Sequence, residues 1–133
     1  APEKYKNQQR FFNKLHDTPY LTVKLGRLEK RFTKTPNGQE ITTHVEKGVD
    51  VNLAVDILVT TYEKIAQTIY LVSSDTDLLP AIRKAQEKGV KVNYVGFSHK
   101  PSVALVAECR ESKLLSGAEL RQFLNQDKNK SRK

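Results

Sequence analysis

The sequence predicts an α/β fold built on a mostly parallel sheet, and three observations carry that prediction. Residues 69–72 form a short apolar, β-branched-rich run that stops at two serines and two aspartates, Asp75 and Asp77, as a buried strand does at its carboxyl end. A helical pattern follows at once, with Leu78, Ala81, Ile82 and Ala85 at i, i+3, i+4 and i+7. From Gly48 onward the predicted elements alternate helix, strand, helix, strand, helix, an order that right-handed crossovers turn into a parallel sheet with helices on both faces.

In chain order, residues 2–16 read as a helix with Pro2 near its first turn. Tyr5, Phe12 and Leu15 share one face, Phe11 widens it, and Asp17-Thr18-Pro19 breaks it. Residues 20–25 alternate and predict a strand ending at Gly26. Residues 27–33 and 40–45 predict an exposed β-ribbon, an insertion near 27–45, around the turn Pro36-Asn37-Gly38. Thr42, Thr43 and Val45 favour β structure in its second arm. A long helix over about 49–65 carries Val51, Ala54, Val55, Leu58, Tyr62 and Ile65 on its main apolar face, with Leu53 and Ile57 widening it. So broad a surface predicts deep burial against a sheet.

The strand at 69–72 leads into a helix over 78–88 closed by Gly89. A strand over 90–95 ends at Gly96, a short helix spans 101–108, and residues 113–115 suit a final edge strand. Ser116 with Glu119 three residues later forms a capping box for a last helix to about Leu124. One domain over 1–124 and a basic, disordered tail over 125–133 are expected.

Composition narrows the function. A chain of 133 residues suffices for one core. It has no apolar run long enough to span a membrane and no visible signal peptide. Cys109 is the only cysteine, so no internal disulfide forms, which fits a reducing, cytoplasmic location. The absence of a Cys/His cluster argues against zinc. Net charge is +8, from 23 Lys and Arg against 15 Asp and Glu, and favours anionic partners, nucleic acid before membrane.

The chemistry-bearing residues are carboxylates. Asp75 and Asp77 follow a strand end, where open α/β sheets bind ligands. Two carboxylates there repel unless a proton or cation relieves them, and hard oxygen donors suit Mg²⁺ or Mn²⁺. A helix N-cap accounts for one such Asp equally well. Asp50 opens the long helix and reads either as a second acidic position or as an ordinary first-turn residue. Asp56 lies six residues on, about 120° further round the axis, and is an outside candidate for the metal. His16, His44 and His99 fall in three different elements, and a histidine-based ribonuclease needs two convergent groups.

Glu46-Lys47-Gly48-Val49-Asp50-Val51 with Asp56, followed about twenty residues later by Leu71-Val72-Ser73-Ser74-Asp75-Thr76-Asp77-Leu78-Leu79-Pro80, resembles the NYN domain in its LabA-like branch, a family of PIN-like nucleases. The resemblance runs over about residues 1–115 and includes the helix at 5–15 and the stretch at 20–26. It implies a PIN-like three-layer sandwich and a metal-dependent ribonuclease that binds Mg²⁺ or Mn²⁺ in an acidic pocket and cleaves RNA. Carried over, Asp50, Asp75 and Asp77 are the catalytic and metal-binding carboxylates, and Lys47, Ser73 and Ser74 meet the substrate phosphate.

The sequence departs from the family in three places. Ser74 stands where the family has Gly, and Leu78 where it has an aromatic residue. The family's opening strand, ending in Asp-Gly-x-Asn, has no counterpart. The expectation is an N-terminally incomplete chain rather than a degenerate one, because a sheet lacking its central strand exposes unpaired edges. RNA is the expected partner, with no membrane and a homodimer as a further expectation. A non-catalytic RNA-binding or regulatory module on the same fold is the alternative, and a phosphoacceptor site like that of response regulators a weaker one.

Overall fold

In the computed structural model, which describes residues 2–130, the chain divides into two compact units, one running to Val49 and one starting at Asp50. The first holds helix α1 (Pro2–Asp17) and the strands β1 (Arg27–Lys34) and β2 (Glu40–Lys47). The strands pair antiparallel from Arg27↔Lys47 to Lys34↔Glu40, forming the expected ribbon. Its turn closes through the Thr35 N–H donating to the Gln39 carbonyl at 2.9 Å, with Gly38 at φ +81°. Gly38 supplies that left-handed backbone without steric cost. Glu29 bridges Arg27 and Lys47 at 3.1 and 3.3 Å. The Lys47 hydrogen bond, with the charges of Lys47 and Arg27, holds its carboxyl below the ordinary range.

The strand expected over 20–25 does not form, and among the described residues the segment has no ladder partner. Leu21 and Leu25 are exposed. Alternation favours a strand only where a neighbouring strand gives the pleat something to pack against. α1 buries none of its side chains.

The second unit holds α2, which begins in the first (Val49–Tyr62), then β3 (Thr68–Leu71), a 3₁₀ turn (Thr76–Leu78), α3 (Leu79–Glu87), β4 (Lys91–Phe97), α4 (Val103–Glu108), β5 (Glu111–Leu115) and α5 (Gly117–Lys130). Its sheet has three strands in the order β3-β4-β5, all parallel. Thr68 pairs with Lys91 and Leu71 with Tyr94. Asn93 pairs with Glu111 and Phe97 with Leu115. This is the expected mixed α/β class, a parallel sheet with helices packed on it plus an antiparallel ribbon. β4 passes the expected stop at Gly96, because the Gly96↔Leu114 and Phe97↔Leu115 pairs prolong the ladder. No strand pairs with the outer edge of β3 among the described residues, and Tyr70 and Val72 are exposed.

The core forms where the period-2 pattern of the strands meets the helical faces. β4 buries Val92 and Tyr94 and leaves Asn93 and Val95 half-buried. α3 buries Ala81, Ile82 and Ala85, the stripe its sequence predicts, and α4 buries Leu105. The Ser102 N–H donates to the Tyr94 hydroxyl at 3.1 Å, joining β4 to the start of α4. A Cβ on Gly96 would strike the Tyr94 ring, so only glycine lets that ring lie against its own strand. At α5 the capping box forms, with the Glu119 N–H donating to the Ser116 hydroxyl at 3.2 Å and the Ser116 N–H to the Glu119 carboxylate at 2.8 Å. α5 continues past Leu124 to Lys130, and residues 131–133 of the expected tail lie outside the described residues. No helix is long and apolar enough to cross a membrane among the described residues.

α2 corrects the sequence reading. It buries Ile57 and Thr61, with Leu53, Ala54 and Leu58 packed beside them. Val51, Val55 and Tyr62, from the expected main stripe, are 66%, 49% and 59% exposed. A helix apolar nearly all round offers several stripes, so periodicity alone does not choose among them. Thr61 turns inward because its hydroxyl donates to the Ile57 carbonyl at 2.8 Å and is satisfied there. The consequence is measurable by urea unfolding. Ile57→Ala should lower the unfolding free energy by about 2–5 kcal/mol, whereas Val51→Ala should change it by no more than about 0.5 kcal/mol. The opposite ranking would restore the expected stripe.

Candidate active site

The turn after β3 is held by two short-range bonds. The Asp75 N–H donates to the Ser73 hydroxyl at 3.2 Å, and the Asp77 N–H donates to Asp75 Oδ1 at 2.8 Å. Asp75 has extended backbone angles and caps the 3₁₀ turn Thr76–Leu78, so the N-cap reading of this residue holds. Leu78, 1% exposed, fastens the turn to the core. The cap bond also orients the Asp75 carboxylate. Asp75 is half-buried, while Asp77 and Ser74 are exposed and Ser73 half-buried.

Asp50, in the first turn of α2, comes to the same place. The charge of Asp75 is the largest cause raising its carboxyl above the ordinary aspartate range. Partial desolvation, the hydrogen bond that a protonated Asp50 can donate to Asp75, and the charge of Asp77 follow in that order. Residues 25 positions apart in sequence thus share one acidic field. Two facing carboxylates are relieved by a proton, or by a cation that takes its place. Asp77 acts on Asp50 only through its charge, as the smallest of these causes. Accordingly, no group of three or more His, Cys, Asp or Glu is arranged to hold a metal ion among the described residues.

The donor chemistry nonetheless fits a hard divalent ion: anionic oxygens only, with a repulsion that such an ion would neutralise. Asp56, half-buried further along α2, is not among the causes of the Asp50 shift. Lys47 closes β2 in the first unit, paired with Glu29.

A cavity of about 300 Å³ adjoins the turn at the carboxyl ends of β3 and β4. Ser73, Ser74, Tyr94, Phe97, His99 and Lys100 are among its lining residues. A larger one, about 400 Å³, lies at the opposite ends of these strands beside Gln67 and Val90, far from the carboxylates. There the Lys88 ammonium stands over the Tyr62 ring at 5.9 Å. Sequence reasoning passed over Phe97 and Lys100 and gave His99 no role. Their one signal is position, at the end of a strand and in the loop after it, and it becomes informative only once β4 is known to lie beside β3.

Comparison with known proteins adds family information. The NYN domain family matches residues 1–115. An uncharacterised protein of Methanocaldococcus jannaschii is 46% identical over 57 residues, covering 43% of this chain and 24% of its own length. The chain therefore spans about a quarter of that relative. No solved structure matches the chain.

The Asp50 field sets a pH dependence. Folded Asp50 holds its proton more tightly than an unfolded aspartate, whose pKa is about 3.9. Its contribution to stability is therefore fully present below that value and is lost as pH rises through the raised folded value. Without divalent ions, Asp50→Asn should raise the melting temperature at about pH 7, and the gain should shrink to nothing below about pH 4. Melting curves across pH check this, and a gain that does not vary with pH would rule out carboxylate repulsion as its source.

Proposed function

The chain belongs to the NYN domain family, and on that premise we propose that it is a metal-dependent ribonuclease that hydrolyses RNA phosphodiester bonds with Asp50, Asp75 and Asp77 as its catalytic carboxylates. NYN domains fall in the PIN-like nuclease superfamily, whose members typically use divalent metal ions. The observation that carries the reading is the meeting of Asp50 with Asp75 at the carboxyl edge of a parallel sheet, where open α/β sheets place their chemistry.

Asp50, Asp75 and Asp77 would hold Mg²⁺ or Mn²⁺. Such an ion, when bound, supplies an activated water and neutralises charge on the phosphoryl oxygens. The chain's own contribution is to orient and to bind. The Asp77 N–H aims the Asp75 carboxylate, and the Ser73 hydroxyl ties the turn to the strand end. Ser74, exposed beside Asp75, would meet a phosphate, and Lys47 is the sequence-based candidate for a second contact. Asp56, further along α2, is the outside candidate for the same ion. A net charge of +8 attracts the polyanion. Lys47-Gly48-x-Asp50 and Ser73-x-Asp75-x-Asp77 are the motifs that support reading the chain as a LabA-like member of the family. Cys109, buried, with its thiol pushed up by burial, fits action in the reducing cytoplasm. The reading requires no homodimer.

A second reading, an RNA-binding module without turnover, has one observation in its favour: no three-ligand group is assembled among the described residues.

Two measurements separate these readings. Mn²⁺ or Mg²⁺ should raise the melting temperature by binding the folded state alone, and Asp75→Asn should remove the gain. Labelled single-stranded RNA should be cut by the full protein with either ion and not in EDTA. Asp50→Asn and Asp75→Asn should reduce that cleavage to background while RNA binding in EDTA persists. Wild-type protein that binds RNA but leaves it uncut in both ions would establish the second reading.

A further inference from the structure

The cavity beside the acidic turn has walls of a different character from the carboxylates. Phe97 is 39% exposed at its rim. Its ring is tilted 35° against the His99 imidazole, with centroids 6.1 Å apart. Lys100 stands next to them, and its ammonium has no ion-pair partner among the described residues. The end of β4 and the loop after it, which carry all three, are held in place. The Ser98 N–H donates to the Leu115 carbonyl at 2.9 Å and the Lys100 N–H to the Phe97 carbonyl at 3.1 Å. Tyr94 and buried Gly96 lie beneath. The opposite wall is Ser73 and Ser74, the residues that lead into Asp75.

We propose that this cavity is a nucleotide subsite, in which an unstacked base of single-stranded RNA packs on Phe97 and His99 while Lys100 holds its phosphate. The proposal rests on the ribonuclease reading for its substrate, and adds the residues that seat it. A volume of about 300 Å³ is at the small end for ligand sites and suits one nucleotide rather than a helix of RNA. Aromatic faces accept any base, and a lone ammonium pairs with phosphate, the two elements of single-strand recognition. The shared Ser73–Ser74 wall places the next phosphodiester along the strand towards Asp50 and Asp75. Lys64 and Lys88, at the other cavity, lie at the far ends of the strands and take no part.

The test is binding of a short fluorescent oligouridylate in EDTA, where no metal-dependent cleavage occurs. Phe97→Ala should weaken binding by about tenfold, the scale of one lost base stack. Phe97→Leu, which keeps apolar bulk, should weaken it comparably and guards against a folding defect. Lys100→Ala should weaken binding and reduce the slope of log affinity against log salt by about one. Lys88→Ala, the same charge change at the opposite edge, should stay within about twofold of wild type. Wild-type affinity in Phe97→Ala and Lys100→Ala would overturn the subsite, even if the protein cleaves RNA. Weakened binding in both with Lys88→Ala unaffected would establish it, even if wild-type protein cuts no RNA. Loss of affinity to the same degree in all three alanine variants would show diffuse electrostatics and overturn it too.

Discussion

The parallel pairing of β3 with β4, with Leu71 opposite Tyr94, sets the height at which both strands end, and the remaining architecture of the second unit hangs on it. It places the Ser73–Asp77 turn and the Phe97–Lys100 loop side by side at one edge. The same register buries Leu71, Val92 and Tyr94 together beneath α3 and α4. Tyr94 joins the two tasks. Its ring fills the core over Gly96, and its hydroxyl accepts from the first residues of the α4 segment. A one-residue slip of β3 would turn Leu71 away from the face that holds Tyr94 and shift the turn against the loop.

Asp75 is held by a local bond and repelled by a distant residue. As a cap it satisfies the Asp77 N–H, which favours folding. As a neighbour of Asp50 it contributes the largest part of a like-charge field, which opposes folding at neutral pH. A residue chosen only for stability would cap without facing another carboxylate; Ser or Asn would do. Local agreement combined with a long-range conflict is the pattern that makes this turn a candidate site.

The legible parts of the sequence were those settled within a few residues. The Ser73–Asp77 turn, the α3 stripe, the Ser116–Glu119 box and the ribbon around Gly38 each declare themselves through neighbours in the chain. The convergence of Asp50 on Asp75 needed an argument about sheet edges, and the family resemblance pointed the same way. What escaped reading depended on partners. Val51 and Ile57 are equally apolar, and only packing decides that Ile57 goes in. Residues 20–25 alternate as a strand does, yet no strand among the described residues pairs with them. Phe97, His99 and Lys100 gained meaning only from the strand that β4 lies beside.

The bonds that shape the acidic turn span two residues each, from Ser73 to Asp75 and from Asp75 to Asp77. Asp50 reaches that turn across 25. Loop-closure entropy makes contacts of the first kind cheap and early, and those of the second kind late. The turn is thus able to take shape before any repulsion exists, and the electrostatic penalty falls on the single event in which the start of α2 arrives. A cation that neutralised the two carboxylates would therefore act on the approach of α2 and leave the two local bonds of the turn as they are.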